Sequence, residues 1–202
     1  DFSLVALGEP TQEADPEPAT PPATVPSLAD WHPAEGSWKL GDNTRIVAPE
    51  EFRASADLLS REIGNYRDGA PAQFVTSGKQ ASDIEVRIDS AKRDELGDEG
   101  YSLDVNADGV TIVAATKAGA FYGTRTVSQL LRQGTTLAAG RTVDKPNYPE
   151  RGLTISAYEV NISDEWIDRM LVEMADLKLN QVLLQIKVKS DKYPKLNTWS
   201  LS

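Results

Sequence analysis

Two adjacent carboxylate pairs are the side chains of this sequence best suited to acid–base chemistry. They are Asp98-Glu99 and Asp164-Glu165, and Glu159 and Asp191 are further single acids. A positioned carboxyl group can donate or accept a proton during a reaction. Asp98-Glu99, however, directly precedes a predicted strand. Asp164-Glu165 falls in the first turn of a predicted helix, where the helix dipole favours acids. We therefore interpret these acids as surface groups rather than catalytic ones.

The composition lacks most of the residue types that nucleophilic, metal-dependent or cofactor-dependent catalysis uses. The chain has no cysteine and a single histidine, His32. This excludes disulfides, thiolate nucleophiles, a histidine-based metal cluster and a histidine-containing triad. No Gly-Lys-Ser/Thr phosphate loop occurs, and we interpret Gly119 and Gly123 as close-packing positions in a helix. The sequence thus predicts no cofactor and no metal ion.

The net charge of −10, from 21 basic and 31 acidic residues, bears on the class of partner. Binding to nucleic acid or to an anionic membrane needs clustered Lys and Arg, so we predict no nucleic-acid partner. The mild basic cluster of Lys187, Lys189, Lys192 and Lys195 is typical of a solvated edge or loop. No apolar run approaches the roughly 20 residues of a membrane helix, so no membrane span is expected.

Composition divides the chain into three parts. Residues 1–26 contain five acids, no Lys or Arg and many prolines. Such a segment cannot bury enough apolar surface to offset its ordering entropy, so we predict a disordered Pro/acid-rich linker there. Residues 27–148 have the composition of a globular domain. Residues 149–202 form a third part with its own strand–helix–strand pattern.

Apolar periodicity predicts mixed secondary structure in residues 27–148. A short strand around 44–48 precedes a helix opened by Pro49, whose apolar stripe recurs at helical spacing. Residues 83–88, 101–105 and 110–114 alternate as half-buried strands, and Asp108-Gly109 is typical of a hairpin with positive-φ positions. Thr116 is suited to cap a helix over 117–133. We interpret residues 33–36 as a turn and 134–147 as turn-rich. The apolar stripe of the helix that Pro49 opens consists of Phe52, Ala56, Leu59, Ile63 and Tyr66.

The third part has the pattern of a β-α-β unit. Residues 153–158 predict a strand, and Ser163 caps a helix over 164–179 with an apolar face. Asn180 is suited to end that helix in the left-handed conformation. The apolar run that follows favours a strand covered on both faces over 181–188. One such unit cannot cover its own sheet, so we expect either docking, a continuation or a dimer through the unpaired strand. The apolar face of the helix consists of Ile167, Met170, Leu171, Met174 and Leu177.

Two segments carry a family resemblance. Residues 100–131 read GYSLDVNADGVTIVAATKAGAFYGTRTVSQLL, a strand, a glycine turn, a second strand and a Gly- and aromatic-containing helix. Residues 149–180 place an Arg-Gly pair at the first strand and Leu-Asn after the helix. Both resemble glycoside hydrolase family 20, in which a small domain precedes a (β/α)8 barrel. The fold expected is α+β: a small antiparallel or mixed sheet with two helices on one face, followed by the first β-α-β of a TIM barrel.

The resemblance implies a β-N-acetylhexosaminidase that releases N-acetylhexosamine from glycans, so a carbohydrate partner is expected. In this family an adjacent Asp-Glu pair after the fourth barrel strand acts with the acetamido group of the substrate as nucleophile. Only 52 residues follow Glu150, whereas a whole barrel needs roughly 250. We therefore expect the chain to be inactive alone. A secreted or cell-surface bacterial protein is also expected.

The site residues suggested by the resemblance are few. Arg151 matches an arginine that binds sugar hydroxyls in the family, although it could equally be a structural arginine that pairs with Glu150 or another acid at the domain boundary. Tyr193 and Trp199 could stack on sugars or simply pack. The sequence departs from the family in both strands of this unit. In the first strand, family members usually carry an Asp and then an Arg, and this chain has Ser156 and Glu159. In the second strand, they usually carry a His followed by acids, and this chain has Gln185, Lys187 and Lys189.

Two alternatives stay open at this point. One is a stand-alone, non-catalytic module that binds a glycan or a protein. The other is a relative of the O-GlcNAcase type, which would share the small domain and the acetamido-assisted chemistry.

Overall fold

A computed structural model describes residues 21–157, 162–186, 191, 192 and 194 of the chain. It contains one large mixed sheet with helices on one face and a second, two-stranded parallel sheet. The large sheet is formed by β1 (His32–Lys39), β2 (Arg45–Val47), β3 (Gln73–Val75), β4 (Asp83–Ile88), β5 (Tyr101–Asn106), β6 (Gly109–Ala114) and β7 (Thr136–Asp144). The remaining elements are α1 (Arg53–Gly64), α2 (Arg93–Leu96), α3 (Lys117–Leu131), β8 (Gly152–Ala157), α4 (Asp164–Asp176) and β9 (Gln181–Ile186), with short 3-10 turns before α1 and α2.

The strand order of the large sheet is β1-β7-β5-β6-β4-β2-β3. Pairing is antiparallel from β1 through β6 and parallel from β6 through β3. Strands β8 and β9 pair in parallel, with Gly152 opposite Gln181, and α4 connects them. The predicted α+β class is confirmed, as are α1, α3 and α4 and strands β4, β5 and β6. No helix in the described ranges is long and apolar enough to span a membrane.

The core lies between the large sheet and the two helices α1 and α3. The predicted stripe of α1 is buried there, apart from Tyr66, which is partly buried. The sheet contributes alternate residues, because successive side chains of a strand point to opposite faces. The sheet side of this core is made largely by Trp38, Ile46, Ile84, Val86, Tyr101, Leu103, Val105, Val110, Ile112 and Leu137.

Helix α3 packs very close to the sheet and is buried almost all round. The Thr116 hydroxyl accepts a hydrogen bond from the Gly119 N–H at 3.2 Å, as expected of an N-cap. A Cβ at Gly119 would lie 2.3 Å from the carbonyl oxygen of Gly100, and one at Gly123 would lie 2.5 Å from Ile112. The interpretation of both glycines as close-packing positions is therefore confirmed.

Two turn predictions are wrong. Residues 136–144 form the nine-residue strand β7 rather than a turn-rich segment. Its buried positions include small or polar residues such as Ala139 and Thr142, which give a weak hydrophobic signal. Residues 33–36 lie inside β1, where the pairing with β7 shifts between Pro33 and Ser37. The Pro and Gly of this segment thus accompany an irregular edge strand instead of a turn.

The β5–β6 hairpin also differs in detail from its prediction. Asn106 pairs with Gly109 across a two-residue loop. Of Asp108 and Gly109, only Gly109 has a positive φ, at 145°. A Cβ there would lie 2.5 Å from the carbonyl oxygen of Asp83, so close approach to β4 also requires glycine at this position.

Residues 21–26, at the end of the predicted linker, lie against α3. The Val25 N–H donates to Gln129 Oε1 at 2.8 Å, and Gln129 Nε2 donates to the Val25 carbonyl at 2.9 Å. Gln133 Nε2 donates to the Ala23 carbonyl at 2.5 Å. These residues are therefore in contact with the folded domain, while residues 1–20 lie outside the described ranges.

A buried ion pair at the start of β4 predicts acid sensitivity. Arg45 donates to both carboxylate oxygens of Asp83, from Nε at 3.1 Å and from Nη2 at 2.5 Å. Burial raises the pKa of Asp83, but hydrogen bonds from Arg45 and the Gln80 N–H outweigh it and leave the pKa below its ordinary value. The unfolded chain therefore takes up the proton first, so this stabilisation is present above about pH 4 and is lost as the pH falls through the lowered pKa.

We expect the difference in melting temperature between the wild type and Asp83→Asn to be constant from neutral pH to about pH 5 and to shrink below about pH 4. Thermal unfolding of both proteins across this range measures it. Parallel curves down to pH 2 would contradict the assignment, because the pair would then contribute nothing that depends on the Asp83 charge.

Candidate functional site

The β8-α4-β9 unit contacts the small domain, which contains the seven-stranded sheet, along α3 and at the start of β5 and the end of β7. A cavity of about 220 Å³ lies at this boundary. Its lining combines tyrosine rings with two acids and two cations. The buried or half-buried lining residues include Glu99, Tyr101, Tyr122, Asp144, Arg151 and Lys178, and the exposed ones include Pro26, Pro146 and Tyr148.

Arg151 lines this cavity and pairs with Glu99. Its Nη1 is 2.9 Å from Glu99 Oε2 and donates to the Tyr148 carbonyl at 2.7 Å. Its Nε donates to the Lys178 carbonyl at 2.9 Å, and the guanidinium lies 5.7 Å from the ring centre of Tyr122. The acid it pairs with is Glu99 rather than Glu150.

This placement favours the interpretation of Arg151 as a domain-boundary arginine. Arg151 immediately precedes β8, so it lies at the amino-terminal end of that strand. Barrel enzymes build their active sites at the carboxyl-terminal ends of the strands and use the opposite end for stability. Binding of sugar hydroxyls by Arg151 stays a prediction.

Lys178 is a buried cation that also lines the cavity. Its Nζ donates to Asp144 Oδ2 at 2.7 Å and to the Tyr101 hydroxyl at 2.8 Å, and Tyr101 in turn donates to Asp144 at 2.6 Å. Thr126 completes the cluster at 2.6 Å from the Tyr101 hydroxyl. Burial lowers the pKa of Lys178 despite the nearby Asp144 charge. Burial, reinforced by Asp144, raises the pKa of Tyr101 well above its ordinary value.

The helix α4 ends differently from the prediction. Lys178 takes the left-handed conformation, with φ of 58°, whereas Asn180 does not. Asn180 instead uses its side chain, which donates to the Pro149 carbonyl at 2.7 Å and accepts from the Arg151 N–H at 2.9 Å. The sequence cue for a left-handed residue was correct for this turn but assigned to the wrong position.

A second buried charge cluster joins α1, α3 and α4. Arg125 Nη1 lies 2.6 Å from Glu62 Oε1 and 3.6 Å from Asp176 Oδ1, and its side chain is 1% exposed. Arg132 Nη2 donates a hydrogen bond to the other carboxylate oxygen, Asp176 Oδ2. Gln129 donates to the Asp176 carbonyl at 2.7 Å. Polar contacts thus hold the end of α4 on α3.

The adjacent acids that we interpret as non-catalytic are held in ion pairs or lie in the first turn of a helix. Asp98 Oδ1 lies 2.5 Å from Arg93 Nη2, while Glu99 is engaged by Arg151. Glu165 lies in the first turn of α4, where a hydrogen bond from its own N–H and one from Ser163 lower its pKa. A lowered pKa is the opposite of what a general acid needs, so Glu165 is not arranged for proton donation. Within the described ranges, no group of three or more metal-ligating side chains is present.

Much of the apolar surface of the β8-α4-β9 unit is uncovered. Of the predicted apolar face of α4, only Met174 is buried, and Leu183 of β9 is 58% exposed. Tyr193 and Trp199, the predicted stacking aromatics, lie outside the described residues, as do Glu159, Lys187 and Lys189. The exposed apolar residues of this unit are Leu153, Leu171, Val172, Leu177, Val182, Leu183 and Leu184.

Comparison with known proteins connects this fold to one family. The family described as Glycosyl hydrolase family 20, domain 2, matches residues 21–145, which is more than half of the chain. A lacto-N-biosidase of Bifidobacterium bifidum is 46% identical over 184 residues, covering 90% of this chain and 16% of the relative. A β-hexosaminidase of Vibrio vulnificus is 32% identical over 152 residues, covering 73% of this chain and 16% of the relative.

Solved structures share the same architecture. The N-acetyl-β-hexosaminidase of Streptomyces plicatus superposes with a TM-score of 0.70 at 24% identity, covering 85% of this chain and 36% of that one. At this identity the likeness shows the fold alone. The chain spans about one sixth of the length of the two curated relatives. The chain belongs to glycoside hydrolase family 20 and carries the family's domain 2, which the sequence resemblance predicted.

Proposed function

We propose that this chain is the part of a β-N-acetylhexosaminidase-like hydrolase that precedes and begins its catalytic barrel. The complete protein would release N-acetylhexosamine-containing units from glycans. The observation that carries the proposal is the 46% identity to a lacto-N-biosidase over 90% of the chain. A match of that extent cannot end at residue 145, so it includes part of the β8-α4-β9 unit. A secreted or cell-surface location accompanies this proposal as a prediction from the sequence.

The surface of the β8-α4-β9 unit supports the idea that barrel elements cover it. Strand β9 is apolar at Val182, Leu183 and Leu184, and all three side chains are exposed. Strands of a parallel barrel are buried on both faces, which matches this composition. A second copy of the chain is the competing cover, through the unpaired edge of β9. Light scattering distinguishes the two, since a dimer should dissociate on dilution.

The proposed chemistry makes a specific prediction for the natural protein that contains this chain. It should release the aryl group from an aryl N-acetyl-β-glucosaminide or an aryl lacto-N-bioside. The matched glucoside, with a hydroxyl in place of the acetamido group, should react at least a hundredfold more slowly, because the acetamido oxygen is the nucleophile. Steady-state kinetics on each substrate pair measures this ratio. Equal rates on the acetamido and hydroxyl substrates, or no hydrolysis of any, would contradict the proposal.

A further inference from the structure

Lys178 occupies a position that its residue type does not favour. Its backbone is left-handed, with φ of 58°, where glycine or asparagine is usual. The residue is also cationic and only 8% exposed. Asp30, Asp68 and Ser82 are the other non-glycine residues with positive φ in the described ranges, and all three have short polar side chains. A strained backbone and a buried charge at one residue indicate that the surrounding contacts impose both.

The ammonium group is held from the small domain. Asp144 ends β7 and Tyr101 begins β5, and these two residues pair across the sheet. Both are buried, and both accept a hydrogen bond from Lys178 Nζ. Hydrogen bonds to charged groups are the stronger ones in proteins. The side chain of Lys178 is therefore fixed to the ends of two neighbouring interior strands of the large sheet.

The backbone around Lys178 is hydrogen-bonded to Arg151, the residue before β8. The Lys178 carbonyl accepts from Arg151 Nε, and the Arg151 carbonyl accepts from the N–H groups of Asn180 at 2.8 Å and Gln181 at 3.1 Å. The turn 178–180 thus connects the start of β8 to the start of β9. Gly152 and Gln181, which follow these contacts, form the first pair of the two-stranded sheet.

We propose that Lys178 is a positioning residue whose ammonium group, anchored by Asp144 and Tyr101, holds the α4–β9 turn on the small domain and thereby sets where β9 begins beside β8. The small domain would then fix the register of the first two barrel strands from their amino-terminal ends. This role does not depend on hydrolysis and can be tested on the 202-residue chain, so its failure and that of the proposed function are separable.

The test is hydrogen exchange of the amides of β8 and β9, with the amides of β5 and β6 as an internal reference. Lys178→Gly removes the ammonium group but relieves the left-handed backbone, and Lys178→Met keeps most of the apolar stem. Asp144→Asn retains an acceptor and loses the charge. Asp68→Gly is the matched control, because Asp68 is exposed and also left-handed, with φ of 50°.

We expect both Lys178 variants to raise exchange in β8 and β9 by roughly tenfold or more, since charged hydrogen bonds are lost locally. Exchange in β5 and β6 should stay within about threefold of the wild type. Asp144→Asn should fall between, and Asp68→Gly should leave β8 and β9 unchanged. Unchanged or slower exchange in Lys178→Gly would overturn the proposal, because the backbone strain would then outweigh the anchor. A uniform rise in all four strands would overturn it too, since it would make Lys178 a general stability residue.

Discussion

Replacing Asp176 by alanine should lower the free energy of unfolding of the chain by about 3 kcal/mol, because it leaves a buried arginine short of a partner. Asp176 and Arg125 have side chains that are 5% and 1% exposed, so solvent cannot replace the lost charge. Glu62 remains 2.6 Å from Arg125, which keeps the cost below that of a wholly unpaired ion. Urea unfolding followed by tryptophan fluorescence measures the change.

Two variants serve as controls for the Asp176 experiment. Arg132→Met removes the other partner of Asp176. Because the Arg132 side chain is 44% exposed, this change should lower the free energy of unfolding clearly less. Glu95→Ala breaks the exposed Lys92–Glu95 pair and should leave the unfolding midpoint unchanged. If Asp176→Ala cost no more than Glu95→Ala, the buried cluster would not hold α4 on the small domain.

Gly119→Ala should destabilise the chain by about 2 kcal/mol, although alanine favours a helix by about 1 kcal/mol over glycine. The added methyl group would lie 2.3 Å from the Gly100 carbonyl oxygen, a backbone atom that cannot rotate away. Helix α3 would have to move off the sheet, which lengthens the contacts of Ala120 and Val127 with the core. Thermal and urea unfolding both report the loss.

The matched control for the methyl group is Gly41→Ala. The nearest atom to a Cβ at Gly41 is Thr44 Oγ1 at 4.0 Å, so the methyl group has room there. We expect no destabilisation at this position. A Gly119→Ala protein as stable as the wild type would show that α3 is not packed against β5 and β6 as closely as described.

Local pattern was sufficient to predict the elements that carry a strong period. Helix α1 shows an unbroken stripe from Phe52 to Ile63, and β4 alternates strictly, so each element has one apolar face. The edge strand β1 and the neighbouring β7 lack that signal. The buried residues of β7 include Ala139 and Thr142. Strand β1 contains Pro33 and Gly36, and β7 contains Gly140. Their pairing is decided by contacts with each other and with β5, which no local window contains.

The site at the domain boundary could be predicted only in part. Both Arg151 and Glu99 were singled out from the sequence. Their ion pair could not be predicted, because they lie 52 positions apart in the chain. The end of α4 reverses the usual rule, since Asp176 and Lys178 are buried while Leu177 between them is exposed. Charged residues alternating with leucines in Asp176–Asn180 were the available signal. Their burial depends on partners in α3 and β7, which sequence periodicity does not reveal.

We propose that the chain contributes the start of a barrel beside the family 20 small domain, and that the catalytic carboxylates lie elsewhere in the protein. The most direct test is hydrolysis of a chromogenic N-acetyl-β-glucosaminide by the purified 202-residue chain, at substrate concentrations well above the usual sub-millimolar KM. We predict no release of the chromophore above the enzyme-free blank. Turnover that persists through purification and scales with chain concentration would contradict the claim, because acids within these residues would then form a working site.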